Sequence, residues 1–289
     1  MMTTLIQQPA DGATTLPVAR MCELVQLPRR SYYHLLGHTT AKDSHIELRD
    51  SIQRLALGWP AYGYRRVTHE LRRQGCTANH KLVLRLMRED NLLCLRKRHF
   101  VRTTDSRHDL PVYANLACQM TLSGIDELWV ADITYIRLRQ EFVYLAVILD
   151  AYSRRCIGWA LERHLRADLA VAALRMAING RGVKAGLVHH SDRGVQYASR
   201  EYTSMLEEHG IRISMSGRGN AYDNAKAERF MRTLKYEEVY LFEYEDMAET
   251  QERIGHFLEE VYNRKRLHSA LGYVPPVEFE QSLLSANTP

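Results

Sequence analysis

The chain has 289 residues, 45% of them hydrophobic and 25% charged, the balance of a globular protein with room for more than one domain. Its longest comparable apolar piece, YLAVIL from Tyr144, falls far short of the ~18 residues of a membrane span, and the opening MMTTLIQQPADGATT has neither the basic start nor the apolar stretch of a secretory signal, so a cytoplasmic protein without a membrane segment is expected. The net charge of +5 hides an asymmetry: residues 1–108 hold 18 of the 39 basic but only 9 of the 34 acidic side chains, so a basic N-terminal third, suited to gripping nucleic acid, precedes a mildly acidic remainder.

Residues 1–15 are polar and non-periodic, a flexible tail. From Leu16, LPVARMCELVQLPRRSYYHLL reads as two short helices broken at Leu27-Pro28, with Val18, Met21, Cys22 and Val25 at helical spacing. Arg29, Arg30, Tyr32 and Tyr33 on the second outline a helix-turn-helix that could reach a DNA groove, although a small helical hairpin shows the same pattern. His34 and His38 also have helical spacing but lack cysteine partners for a metal and read as structural. The five cysteines are scattered, odd in number and without a Cys-x-x-Cys pair, which favours reduced thiols.

A helical module follows over residues 44–95. Ile46, Leu48, Ile52 and Leu55 form an amphipathic stripe, and GWPAYGYRR breaks it. RRVTHELRRQG, opening on Arg65 and Arg66, is a short basic helix closed by Gly75. Thr77 or Asn79 can cap a third helix that turns Val83, Leu86 and Met87 inward and Lys81, Arg85 and Arg88 outward. Arginines on several exposed faces suit phosphate contacts, which give affinity and position; a merely solvated face is the plainer alternative. Residues 96–122 lack periodicity and read as a basic linker.

From Leu128 the pattern changes to strands. LWVADITYIRL and FVYLAVILDAYS form a hairpin around RQE, and CIGWALE adds a third strand. Then come the helix ADLAVAALRMAING, the strand AGLVHHS, the helix SREYTSMLEEHG, the strand IRISMS and a helix carrying Glu228. Three sequential strands followed by alternating helix and strand describe a mixed α/β sheet with helices packed on it, here over residues 123–242. Met247, Ile254, Phe257, Leu258 and Val261 mark a further amphipathic helix that begins a C-terminal segment, 243–289, packed on that core.

Three carboxylates stand out. Asp132 lies within an apolar strand, where an isolated charge is costly unless paired or bound to metal. Asp192 ends a strand, where α/β sheets commonly place ligand-binding groups. Glu228 lies on a helix with Arg232 and Lys235 at the spacing that shares one face, and 35 residues separate it from Asp192. Two strand-borne aspartates and a helix-borne glutamate suit hard divalent cations such as Mg²⁺, which keep open positions for phosphate oxygens. Taken singly each acid reads as structural, and Glu228–Arg232 as a weak surface ion pair. Together they describe a metal-dependent enzyme acting on DNA phosphodiesters, with Lys235 placed to clamp a phosphate.

The segments VADITYI, HHSDRGVQY, NAYDNAKAERFMRTLKYE and YNRKRLHSALGYVPP resemble the motifs of bacterial insertion-sequence transposases of the DDE, retroviral-integrase-like superfamily, in particular the OrfB-type product of copy-out–paste-in elements. The resemblance covers roughly residues 44–282. It implies an RNase H-like core with a mixed five-stranded sheet behind all-α DNA-binding modules, and it carries Asp132, Asp192 and Glu228 over as the metal-binding catalytic triad. It also implies supporting roles for Asn220, Asp223 and Asn224 in the loop entering the last helix, and for Lys235 on DNA; His190, Arg193, Gly194 and Gln196 flank the second aspartate in the same motif. Arg229 stands where a small polar residue is expected, and NLACQMTLSGIDELW departs from the family's lead-in. Asp150 resembles a family position too and reads as a turn residue holding Ser153 or Arg154.

The implied reaction is two-metal, in-line phosphoryl transfer, with Mg²⁺ as cofactor and Mn²⁺ able to substitute. Asp132 and Asp192 bridge both ions and Glu228 completes one site. The same chemistry cuts element ends and joins them to a target, so terminal inverted repeats and target DNA are the expected partners. Arg29, Arg30, Arg65, Arg66, Lys81, Arg85, Arg88, Arg193, Asn220, Asn224, Arg232 and Lys235 are the expected DNA contacts. A homo-oligomer, at least a dimer on DNA, a nucleoid location and an upstream-frame partner or fusion follow from the same resemblance. A nuclease of the same fold and an inactive DNA-binding regulator are the rival readings.

Overall fold

The computed structural model describes residues 17–33, 45–94, 112–217 and 224–286. The chain divides into two compact units, 1–51 and 52–289. In the first, α1 (Val18–Leu24) is followed by a helical turn over 29–33, with the break at Leu27-Pro28 expected from the proline. Of the apolar positions expected to face inward, Cys22 is buried but Val25 is 69% exposed. One turn of amphipathic pattern fits too short a helix to bury a whole stripe. The unit boundary falls within α2 (Ile46–Gly58), where Ile52 and Leu55 are buried and Ile46, expected on the same stripe, is exposed.

The second unit begins with the rest of the helical module. α3 (Tyr64–Arg73) and α4 (His80–Glu89) follow the Gly/Pro break. Asn79 caps α4, its side chain accepting from the Lys81 N–H at 2.8 Å. Val83, Leu86 and Met87 are buried while Lys81, Arg85 and Arg88 are exposed, as the periodicity required. The module is docked on the C-terminal segment: the Leu267 N–H donates to the Tyr62 hydroxyl at 2.8 Å, His69 stacks on Tyr273 at 3.8 Å, and Arg73 grips Glu278 with two hydrogen bonds of 2.9 and 2.7 Å.

The core is a five-stranded sheet. β1 (Leu128–Arg137), β2 (Phe142–Asp150) and β3 (Cys156–Glu162) form an antiparallel meander. After α5 (Ala167–Gly180), β4 (Val188–Ser191) pairs parallel to β1; after α6 (Arg200–Glu208), β5 (Arg212–Met215) pairs parallel to β4. The strand order is therefore β3-β2-β1-β4-β5. The period of two along each strand separates two cores. Leu128, Val130, Val143, Leu145, Val147 and Leu149 face one side. Trp129, Ala131, Ala146 and Ile148 face the other, under α5 and α6. Strands covered on both faces read as near-continuous apolar runs, which is why FVYLAVIL shows no alternation.

On the first face lie α7 (Ala225–Leu234), through Ala227, Phe230, Met231 and Leu234, and then α8 (Met247–His256). Both helices run on into wider π-type turns, Lys235–Val239 and Phe257–Lys265. α9 (Pro276–Ala286) closes the described chain. Its Glu280, 4% exposed, accepts from Ser153 Oγ at 2.6 Å, from Arg155 at 2.6 Å and from both ends of the Arg181 guanidinium at 3.0 and 2.7 Å. Asp126 adds a 3.2 Å contact to Arg181. Burial pushes the Glu280 carboxyl up, but Arg181, Ser153 and Arg155 outweigh it and hold the group below its ordinary value.

Two predictions follow from this latch. Glu280→Ala leaves the largely buried Arg181 with only Asp126 and the more distant Asp150, and the partly exposed Arg155 without its carboxylate, and urea unfolding should show a loss of about 3 kcal/mol, the low end for a broken buried pair. The carboxyl's folded value is depressed, so its contribution is complete above its ordinary value of 4.5 and disappears as pH falls through the folded value. Wild type should therefore lose stability over that acid range, and the Glu280→Ala profile should be flatter there.

Candidate active site

The parallel pairing of β1 with β4 places the first two carboxylates. Its last register pair is Val130 with His190. Asp132 lies two residues beyond that pair on β1, and Asp192 directly follows the last residue of β4, so both stand near the same end of the strand pair. Both share the parity of Leu128, Val130 and Val188, so they belong to the face covered by α7. Asp132 is half-buried, and its Oδ1 accepts from its neighbour Ile133 N–H at 3.0 Å. Asp192 leaves the strand end, and its Oδ1 accepts the Gly194 N–H at 2.9 Å, a tight turn that fixes the carboxylate.

The third acid arrives through α7. Asn224, at the helix N-cap position, is buried, and its Nδ2 donates to the carbonyl of Ala131 at 2.9 Å. This bond ties the start of the helix to the residue before Asp132. Glu228 is four positions beyond Asn224, so it stands one turn above the tether on the same side of the helix. Its side chain is exposed and, among the described residues, forms no ion pair; the Glu228–Arg232 pairing considered from sequence is not made.

Of the three acids, Asp132 feels the other two. Burial, then the Asp192 charge, and more weakly Glu228, push the Asp132 carboxyl up to about 8, against the opposing pull of the Ile133 N–H and Lys235. Burial also raises Glu228. Lys235 lies half-buried, its ammonium 4.9 Å from the centre of the Tyr135 ring, and its own value is lowered by burial while Asp132 opposes the shift. Its inward position comes from the π-type turns that replace regular helix after Leu234. Arg232 stays exposed, its guanidinium 5.8 Å from the Tyr236 ring centre.

The residue types fit a hard divalent cation: three carboxylates, of which Asp192 and, more weakly, Glu228 raise the proton affinity of Asp132. Among the described residues, no three His, Cys, Asp or Glu side chains stand close enough to form a ready-made metal cage. The same repulsion opposes closing the three charges together without a cation.

The motif around Asp192 is mostly scaffold. His190 is buried between two hydroxyls, Nδ1 at 2.8 Å from Ser214 and Nε2 at 3.1 Å from Ser216. Ser214 in turn accepts the Leu116 N–H at 2.9 Å, stitching the lead-in segment to β5. His189, bonded to the Tyr202 hydroxyl at 2.8 Å, is pushed down to about 3, chiefly by burial. Arg193 donates from Nε to the Ser216 carbonyl at 2.8 Å, and buried Gln196 to the Leu165 carbonyl at 2.9 Å. Sequence reasoning passed over Tyr197. Its phenol is buried with no hydrogen-bond partner, and it feels both Asp132 and Asp192. Tyr197 and Asp192 both border Gly194, where a Cβ would lie 3.0 Å from Asp192 Oδ1 and 3.6 Å from the Tyr197 ring. The available signal was position: the fifth residue after the aspartate in an otherwise polar motif. Asp150 is the turn residue expected, accepting from the N–H groups of Asp126, Tyr152 and Ser153 at 2.7, 3.0 and 2.7 Å.

Of the expected DNA contacts, Arg29, Arg30, Arg65, Lys81, Arg85 and Arg88 are exposed and Arg66 is half-buried beside the Tyr62 ring. Asn224 is instead buried in its tether to β1. Asn220 and Asp223 lie outside the described residues, as do His34 and His38, residues 1–15 and 95–111.

Comparison with known proteins agrees with this architecture. Integrase core domain families match residues 124–221 and 209–276, and an HTH-like domain family matches 44–100. An insertion element IS600 protein of 31 kDa from Shigella sonnei is 35% identical over 266 residues, covering 90% of this chain and 97% of that one. Transposase InsF for insertion sequence IS3A of Escherichia coli (strain K12) is 34% identical over 274 residues, covering 93% and 95%. The HTLV-2 integrase catalytic core domain, solved with magnesium, aligns at 16% identity and a TM-score of 0.44, over 54% of this chain and 96% of that chain. The catalytic core domain of BIV integrase aligns at 18% identity and a TM-score of 0.43, over 57% and 99%. On the strength of the full-length relatives and the matched domains, the chain belongs to the insertion-sequence transposases of the DDE, integrase-like superfamily.

Proposed function

We infer that this transposase cuts DNA at the ends of its insertion sequence and joins them to target DNA, with Asp132, Asp192 and Glu228 as ligands for two divalent ions. The observation that carries the assignment is the convergence of Asp132 and Asp192 on one sheet face, with the Glu228 helix tethered to Ala131. Mg²⁺ is the natural ion for an all-carboxylate set, with Mn²⁺ able to replace it. When bound there, the ions supply the positive charge that offsets the attacking and leaving oxygens of an in-line displacement. The protein's own part is positional. The Gly194 N–H holds Asp192, Asn224 holds the glutamate helix, and Asp132 gives up its proton as the site fills. Lys235, beside Tyr135, offers a cation to a phosphate of the bound strand. The helical module, with Arg65, Lys81, Arg85 and Arg88, takes the terminal repeat, and Arg29 and Arg30 extend that grip. Joining two ends to one target requires at least two protomers, and an upstream-frame product can supply a further DNA-binding segment.

The deciding experiment is a strand-transfer assay in Mg²⁺ with a labelled duplex of the element's end. Asp132→Asn and Glu228→Gln should each lower joined product by at least ~1,000-fold while leaving DNA binding intact, the pattern of charge removed from a transition state. Joining by either variant at wild-type rates would refute the triad, and cutting without joining by wild type would favour a nuclease. Gly194→Ala crowds the Asp192 carboxylate and should weaken the Mg²⁺ requirement's midpoint by about 10–100-fold with little change in Tm.

A pH effect follows from the shared proton. Asp132 is raised from 3.8 to about 8 without metal, so the folded protein holds this proton more tightly than the unfolded chain. That contribution is fully present below the unfolded value and lost as pH rises towards 8. Metal-free stability should fall over that range. The apparent Mg²⁺ affinity, read from the gain in Tm, should climb by up to about tenfold per pH unit and level off above the folded value. A flat affinity profile would count against Asp132 as a ligand.

A further inference from the structure

A second site lies on the side of α7 away from Glu228. The turn after β2, the first turn of α7 and the C-terminal segment line an open cavity of about 350 Å³, whose wall includes Arg154, Lys226, Leu122, Tyr152, Leu271 and Phe279. Its two cations are unusual. Arg154 has a left-handed backbone, φ 64°, held by its N–H on the Asp150 carbonyl at 2.9 Å. A non-glycine residue in that conformation is strained, and the surrounding structure must enforce it. Arg154 and Lys226 are both half-buried, and among the described residues neither side chain forms a hydrogen bond or ion pair. The nearby carboxylate, Asp150, is already engaged by three backbone N–H groups. Arg229, on the next turn of α7, adds a further positive charge that opposes Arg154.

Two partly desolvated cations without counter-ions, enforced at the expense of backbone strain, are costly in an isolated protein. An anion between them offsets that cost. The remaining wall is apolar and aromatic, unsuited to a bare inorganic ion but suited to a sugar or base attached to it. We propose that this cavity binds one nucleotide unit of a DNA strand, its phosphate between Arg154 and Lys226 and its sugar against Leu271 and Phe279. The assignment rests on the reading that the chain acts on DNA. It makes the first turn of α7 a contact on the opposite flank from the carboxylates, so the strand is held from both sides of the helix that carries Glu228.

The test measures binding of a fluorescent duplex with a single-stranded end across a salt series, in the full chain without divalent metal, so no catalytic step enters. Arg154→Gly removes the cation while relieving the left-handed strain, and Lys226→Met removes the other at similar length. Each should weaken binding about tenfold at moderate salt and lower the slope of log affinity against log salt by about 0.7–0.9, the signature of one lost phosphate contact. Arg154→Lys should restore the slope. Unchanged slopes in both variants, with native circular dichroism, would overturn the proposal. So would protection of wild type against heat by inorganic phosphate with no effect of either variant on the DNA slope, which would mark a free-anion site. Failure of strand transfer by wild type with these slopes still altered would instead discard the catalytic reading and leave this site standing.

Discussion

The burial of Asp132 in an apolar strand, with Asp192 close enough to oppose its ionisation further, is the constraint on which the candidate site depends. Two adjacent parallel strands bring two carboxylates to one end of the sheet, Asp132 within β1 and Asp192 directly after β4, a placement that a stability-optimised fold avoids. The elements nearby work against the resulting tendency to separate. His190 is clamped by two serine hydroxyls, the Asp192 turn is closed by its own backbone, and Asn224 fastens the incoming helix to β1. Asp132, Asp192 and the helix that carries Glu228 are thus each fixed by a hydrogen bond close to their own backbone.

Much of this was legible in the residues. The change from period 3.6 to period 2 near Leu128, the hairpin around RQE, and the Gly180 and Gly210 helix ends locate the sheet and its helices because each depends on local backbone chemistry. The acids stand out in the residues for a different reason: an aspartate inside VADITYI conflicts with its apolar surroundings, and such a conflict points to a candidate site. The misjudged positions are those where burial depends on distant partners. Ile46 and Val25 have the right spacing for a core and remain exposed, because periodicity says which side a residue faces and not whether anything covers it. The roles of Asn224 and Tyr197 were hidden for the same cause. A tether from a helix cap to a strand carbonyl 93 positions earlier leaves no trace in local pattern. Nor could spacing reveal that the helix relaxes into π-type turns at Lys235, which brings that side chain round to Tyr135.

The C-terminal segment is less an appendage than a second scaffold. Asn263 bridges both backbone groups of Cys156 at 2.9 Å, pinning β3. Arg266, buried, pairs with Glu237 through two bonds of 2.6 and 2.7 Å, linking this segment to the end of the glutamate helix. Leu267, Tyr273 and Glu278 receive the helical module. One stretch of chain thus braces the outer strand, the end of the Glu228 helix and the HTH-like helices at once.

The latch at Glu280 also carries a temporal meaning. Strands β1 and β2 leave the ribosome well over a hundred residues before the glutamate that neutralises Arg181 and Arg155 and steadies the turn at Ser153. Until that residue emerges, Arg181 has only Asp126 and the more distant Asp150 as counter-charges, and Arg155 lacks its carboxylate. Completing this charge cluster therefore waits until almost the whole described chain has been made.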